Sequence, residues 1–161
     1  MKTRKLTRMA LLTGIALTIF MVEAQLPGLT PVPGIKLGLS NIVTVYAVFT
    51  MGPGPAAEIL FYRVFLGAVF AGQMSTIFYS GAGGVLAILV TILSRKILSR
   101  KQIWIAGVLG AIAHSVGQMI AALLITQTPG LIAYLPVMIL VSIFTGAFTG
   151  FCAQFLTERF E

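Results

Sequence analysis

The sequence has no aspartate, one cysteine and one histidine, and only 9% of its 161 residues are charged. Four glutamates, two of them in the C-terminal tail, cannot form the clustered carboxylates that hold magnesium against a diphosphate. The single Cys152 excludes an internal disulfide, a thiolate metal cluster and a CxxC redox pair. His114 has no evident nucleophile or orienting acid beside it and offers at most one axial ligand to a haem. We therefore expect no enzymatic activity, no metal and no cofactor.

Apolar residues make up 58% of the chain, and its mean hydropathy is +1.01. Crossing about 30 Å of hydrocarbon takes roughly 20 apolar residues, so six spans would use about 120 positions and leave only short connections. The composition predicts an all-α integral membrane protein in which residues 1–161 form a single six-helix domain in contact with membrane lipid.

The net charge of +7 does not indicate nucleic-acid binding, because the basic residues occur in blocks beside the apolar runs. By the positive-inside rule these blocks mark the cytoplasmic face of the cell membrane, with both termini cytoplasmic. The blocks hold nine of the eleven basic residues: Lys2, Arg4, Lys5 and Arg8, then Arg95, Lys96, Arg100 and Lys101, and finally Arg159.

Glycine and proline clusters divide the apolar sequence into six predicted spans. The connections are an outer Pro-rich loop, a Gly-Pro breaker at 52–55, a polar glycine-rich turn from Gln73 to Gly84, a basic loop from Ser94, a turn from Thr126 to Gly130, and the tail TERFE. The spans are Leu6 to Ala24, Leu37 to Met51, Ala56 to Gly72, a run ending at Leu93, Ile103 to Ile125, and Leu131 to Leu156.

The amino terminus has two interpretations. Its basic stretch, its apolar core from Met9 to Val22 and the small residues near Ala24 are also typical of a secretory signal. Against this, small residues recur every four positions at Ala10, Gly14 and Thr18, a pattern that lets another helix approach closely. A retained first helix that binds a partner is the interpretation we favour.

Several polar residues lie inside the predicted spans, where burying them in the membrane is energetically unfavourable. They indicate a binding site, since membrane helices keep such groups for partners or ligands. Each alone equally fits a hydrogen bond between helices, and Arg63 is expected to snorkel to the cytoplasmic headgroups. Lys36 or His114 is best placed for an anionic group, with Tyr46, Phe78 and Tyr79 available for stacking. The residues expected to line an outward-facing pocket are Glu23, Lys36, Asn41, Gln73, His114 and Gln118.

Three motifs carry a family resemblance: GIKLGLSNIVTVYAV (Gly34 to Val48), SGAGG (Ser80 to Gly84) and GAIAHSVGQ (Gly110 to Gln118). With them the chain resembles the Gx transporter family, also labelled heptaprenyl diphosphate synthase component I, over nearly its whole length. That family is similar in size and span pattern to the substrate-binding S components of energy-coupling-factor (ECF) transporters. The resemblance implies an S-component-like bundle that docks through Ala10, Gly14 and Thr18 onto a coupling subunit, where an alanine is usual in place of Gly14 and Thr18.

The resemblance implies capture of a small-molecule substrate for uptake, driven by partner ATPases because the chain has no nucleotide-binding motif. Two alternatives remain: a non-catalytic membrane accessory subunit in isoprenoid or quinone metabolism, bound to a prenyl synthase, and a membrane component of an electron-transfer assembly, bound to a redox partner. Copurifying proteins would distinguish them.

Overall fold

The fold is known from a computed structural model, which describes residues 2–25 and 35–160. Within these ranges all regular secondary structure is helical, with six α-helices and two short 3-10 helices. The turns cover Arg100–Gln102 and Pro129–Tyr134. The α-helices are α1 (Lys2–Glu23), α2 (Asn41–Thr50), α3 (Pro53–Ala71), α4 (Ser75–Ile97), α5 (Ile103–Thr126) and α6 (Leu135–Phe160).

Five of the helices in the described ranges are long and apolar enough to cross a membrane, as a multi-pass membrane protein requires. The exception is α2, which has 10 residues. At 1.5 Å per residue it is about 15 Å long, or half the hydrocarbon thickness. The predicted second span, Leu37 to Met51, is thus helical only in its second part. Most of the predicted outer loop, residues 26–34, lies outside the described residues.

The glycine-rich turn predicted from Gln73 to Gly84 is wrong. Helix α4 begins at Ser75, so the motif Ser80 to Gly84 is helical. Glycine and serine are turn signals in soluble proteins, but between membrane helices they permit close packing. The basic loop predicted from Ser94 is likewise still helical in its first residues, because α4 continues to Ile97.

The Gly-Pro segment 52–55, which the sequence predicts to interrupt the helix, instead contains the start of one. Gly52, with φ of 95°, makes the turn, and α3 begins at Pro53. Proline fits the first helical turn because the N–H group it lacks has no partner there. The remaining differences are small: α5 matches its predicted span within one residue, while α6 begins four residues later than predicted and continues to Phe160.

Helices α4, α5 and α6 are packed through glycines. A Cβ atom added to Gly107 of α5 would lie 2.5 Å from the Cα of Gly150 on α6. A Cβ on Gly117 would lie 2.9 Å from the Cα of Gly83 on α4. Small residues allow this backbone contact, which supplies van der Waals energy where lipid removes the hydrophobic driving force between helices.

The helix ends that carry the basic blocks come together at one end of the bundle, here called the basic end. The junction of α2 and α3 lies there, since a Cβ on Gly52 would be 3.6 Å from Nη1 of Arg95. One buried apolar cluster joins Met9, Phe49 and Ile103, which lie near the helix ends at this side. Helix α2 therefore extends from the basic end only to about the middle of the bundle.

Candidate functional site

Helix α2 begins in the middle of the bundle, and its first residue meets a buried arginine. Arg63 lies ten residues after the start of α3 at Pro53, which at 1.5 Å per residue is about 15 Å from the basic end and level with Asn41. Its Nη1 donates to Oγ of Ser40 and lies 3.4 Å from Oδ1 of Asn41.

The prediction that Arg63 snorkels to the headgroups is wrong, because only 1% of its surface is exposed. Its helix starts at Pro53 rather than Ala56, so the guanidinium lies deeper than expected. A charge at this depth is costly and marks a functional site unless other groups compensate it.

The non-helical segment Ile35–Ser40 is attached to the end of α1. Glu23, which is 4% exposed, accepts a hydrogen bond through Oε1 from the backbone N–H of Gly38. Nζ of Lys36 lies 3.5 Å from the centre of the Phe20 ring, within cation–π distance.

Helix α5 holds the same segment from the other side. With its amide oriented to satisfy both atoms, Gln118 donates to the backbone carbonyl of Lys36 (2.9 Å) and accepts from its N–H (3.1 Å). His114, one turn earlier, lies against Gly38: a Cβ there would be 3.0 Å from Cδ2 of the ring. Gly38 has φ of 80°, which favours glycine, and it leaves no room for a larger residue.

Gly83 of α4 completes this arrangement. A Cβ added to it would lie 2.8 Å from Nδ1 and from the backbone oxygen of His114, and 2.8 Å from Cγ of Gln118. The prediction that His114 and Gln118 share a helical face is confirmed. The three sequence motifs therefore meet at one place, through Gly38, Gly83 and the His114–Gln118 turn.

Several buried polar atoms around this point have no hydrogen-bond partner among the described residues. Buried polar groups in proteins are nearly always paired, so a group of such atoms requires an explanation. They are Oε2 of Glu23, Nζ of Lys36, Nδ2 of Asn41, Oγ1 of Thr44, Nε of Arg63 and Nδ1 of His114. We call these six residues the polar cluster.

Five of the six residues predicted to line a pocket belong to this region: Glu23, Lys36, Asn41, His114 and Gln118. Gln73 does not, since it is exposed just beyond the end of α3. Of the predicted aromatic residues, Tyr79 is buried, Phe78 is 63% exposed, and Tyr46 packs against the apolar cluster of the basic end. Sequence reasoning missed Arg63 as a site residue; the available signal was its position in the interior of a span.

Comparison with known proteins identifies the family. The model of the family described as heptaprenyl diphosphate synthase component I matches residues 12–156. The chain belongs to this family. No curated protein and no solved structure matches the chain. In the described part of this family member, no group of three or more His, Cys, Asp and Glu side chains could hold a metal ion.

A second feature of this family member is the open face of α1. Ala10, Gly14 and Thr18 are all exposed and line a groove of about 590 Å³ with their neighbours on the same helix. Nothing lies within 4 Å of a Cβ added to Gly14. The Thr18 hydroxyl donates to the carbonyl of Gly14 at 3.0 Å. The side chains on this face are therefore small, and the hydroxyl among them already has a partner.

Proposed function

We propose that this protein is the substrate-binding membrane subunit of an ATP-driven uptake transporter, similar to the S components of ECF transporters. The polar cluster is the observation that carries the proposal. It lies at a helix that begins in mid-bundle, and transporters bind substrates near the bilayer midplane at such discontinuous helices. Partnerless polar atoms at that depth are explained by a small molecule that pairs with them.

The same residues favour binding over catalysis. The only carboxylate in the cluster, Glu23, already accepts a hydrogen bond from the backbone of Gly38. The chain has no aspartate, and its other glutamates lie at Glu58 and in the C-terminal region. The cluster thus has one carboxylate and no second one to pair with it, and its donors are suited to holding and orienting a molecule. The protein therefore captures its substrate without changing it.

The basic residues orient the proposed subunit. By the positive-inside rule, the basic end faces the cytoplasm of the cell membrane, with both chain termini on that side. The non-helical segment Ile35–Ser40 then enters from the outer side and reaches the polar cluster at mid-depth. Substrate arrives from outside, and partner ATPases supply the energy for its release inward.

Native mass spectrometry of the protein purified from its own host tests this function. We expect a small molecule to copurify with the wild type and with Gln73→Ala, and to be lost from Asn41→Ala and His114→Ala. Gln73 is the matched control because it was predicted for the same site but is exposed. A well-folded protein that is empty under all conditions would refute substrate capture.

Helix α1 provides the docking surface for the coupling subunit. Its open face of Ala10, Gly14 and Thr18 allows a second helix to approach closely, as small residues do in membrane helix pairs. No other described helix covers it at Gly14. This face is on the opposite side of α1 from Ala16 and Phe20, which are buried in the bundle.

We expect Gly14→Leu to abolish copurification with a coupling subunit and two ATPases while leaving the midpoint of thermal unfolding unchanged. The leucine would fill the groove, whose lining residues all belong to α1. Gly81→Leu is the matched control, because Gly81 also has nothing within 4 Å of an added Cβ but lies on α4. Equal recovery of the partners with both variants would exclude α1 as the docking helix.

A second function is favoured by the family description, which names a component of a prenyl synthase. In that case the protein is a non-catalytic membrane subunit that brings a catalytic partner to its lipid substrate. Affinity purification from the native host distinguishes the two: recovery of ATPases supports transport, and recovery of a soluble prenyl synthase supports the accessory role. Recovery of a redox protein would instead support an electron-transfer assembly.

A further inference from the structure

Three of the six partnerless atoms of the polar cluster are obligatory hydrogen-bond donors. Nε of Arg63, Nδ2 of Asn41 and Nζ of Lys36 can only donate. The only obligatory acceptor among them is Oε2 of Glu23, because the Thr44 hydroxyl and the His114 ring can act in either sense. A ligand that pairs these atoms must therefore present at least three acceptors, and it needs only one donor.

The charge of the cluster points the same way. Lys36 and Arg63 are the two basic residues outside the three terminal and loop blocks, and both are within this site. With Glu23 as the one carboxylate, the cluster holds an excess of a single positive charge when both cations are protonated. An unbalanced charge in the interior of a membrane protein is costly, so a bound negative charge would stabilise it.

Neighbouring groups are already occupied and do not compete for the ligand. Gln118 uses both ends of its amide on the backbone of Lys36. The first N–H groups of α2, those of Asn41, Ile42 and Val43, bond to the carbonyls of Gly38, Leu39 and Ser40. The free donors that converge at the start of α2 are thus side chains, and Asn41 and Arg63 are 4% and 1% exposed.

We propose that the substrate captured at this site carries one oxyanion group, a carboxylate or a phosphate, which binds between Arg63, Asn41 and Lys36 at the start of α2. This inference rests on the proposed capture function and names its substrate class. Arg63 and Lys36 supply the charge, and the Asn41 amide donates to an oxygen of the same group. Glu23 and Gln118 hold the Ile35–Gly38 segment in position, so they orient the site without contacting the anion.

Lys36→Met should bind the anion more weakly than the wild type, because it removes one of the two positive charges of the site. Titration of both proteins with the same anion measures the difference in affinity. Equal affinities would exclude Lys36 from the anion site.

The decisive experiment measures thermal unfolding in lipid nanodiscs with sodium acetate or inorganic phosphate, at constant ionic strength. Acetamide and methylammonium serve as a neutral and a cationic probe of similar size. At a concentration ten times the dissociation constant, an oxyanion should raise the wild-type midpoint by about 3 °C. Acetate and phosphate in separate arms distinguish a carboxylate ligand from a phosphate ligand.

Asn41→Asp supplies the internal test, because it places a carboxylate beside Arg63 and cancels the excess charge. This variant should lose the response to both anions, while Gln73→Glu, the same amide-to-acid change at an exposed position, should keep it. A wild-type response to acetamide or methylammonium equal to that of acetate would overturn the proposal, as would an undiminished anion response in Asn41→Asp. If Asn41→Asp does not fold, the wild-type comparison decides alone.

The oxyanion proposal and the capture function can fail independently. A neutral or cationic molecule that copurifies and is lost from Asn41→Ala would refute the oxyanion but leave the capture function standing. No copurifying molecule and no shift with any probe would refute both.

Discussion

Replacing Gly83 with alanine is expected to destabilise the protein by about 1–3 kcal/mol and to abolish retention of the copurifying ligand. The added methyl group would lie 2.8 Å from the backbone oxygen of His114, which cannot move without shifting α5 away from α4. That shift would displace His114 and Gln118 from the segment they hold. Thermal unfolding in detergent and native mass spectrometry measure the two effects.

Gly81→Ala is the control within the same motif. It lies on the same helix, and nothing is within 4 Å of an added Cβ. Because alanine has a higher helix propensity than glycine, Gly81→Ala should be neutral or slightly stabilising. If Gly83→Ala were as stable as Gly81→Ala and kept the ligand, the close packing of α4 on α5 would be wrong.

The second large effect is expected from Glu23→Gln, which keeps a hydrogen-bond acceptor for Gly38 but removes the only negative charge of the polar cluster. Removing one partner of a buried set of charges costs about 3 kcal/mol, on the order of 6 °C in midpoint temperature for a chain of this size. Glu58→Gln is the matched control, because Glu58 is exposed on α3 and its removal leaves no buried cation uncompensated.

A double variant tests whether the lost stability is due to the lost negative charge. In Glu23→Gln with Lys36→Met, the excess positive charge returns to one, so at least half of the lost stability should be recovered. The midpoint of thermal unfolding of the four combinations forms a double-mutant cycle. Additive losses would mean that the two charges do not compensate each other.

Most of the helical segments were predictable, because apolar run length and the Gly/Pro interruptions are local properties of the chain. The errors also have local causes. The Ser80–Gly84 motif was interpreted as a turn, but its small residues face α5 and α3, where a Cβ on Gly83 or Gly84 would meet His114 or Leu60. Whether a glycine ends a helix or permits contact depends on the neighbouring helix, which the local sequence does not contain.

The candidate site was predictable in composition but not in arrangement. Intramembrane polar residues are conspicuous, so Glu23, Asn41 and His114 were identified from depth alone. Arg63 was assigned to the headgroups because its helix offered it no suitable partner. Its partners, Ser40 and Asn41, precede it by 23 and 22 residues and lie where the non-helical segment joins α2.

The sequence by itself determined that this protein consists of membrane helices with one basic end, since hydrophobic length and charge position act residue by residue. It also shows that the chain has no aspartate and only four glutamates. Only the tertiary structure decided that α2 begins in mid-bundle and that Arg63 of α3 meets Asn41 there. The physical reason is that a buried charge is compensated by whichever groups packing brings within hydrogen-bond distance, and glycine contacts between α4, α5 and the Gly38 segment determine which groups those are.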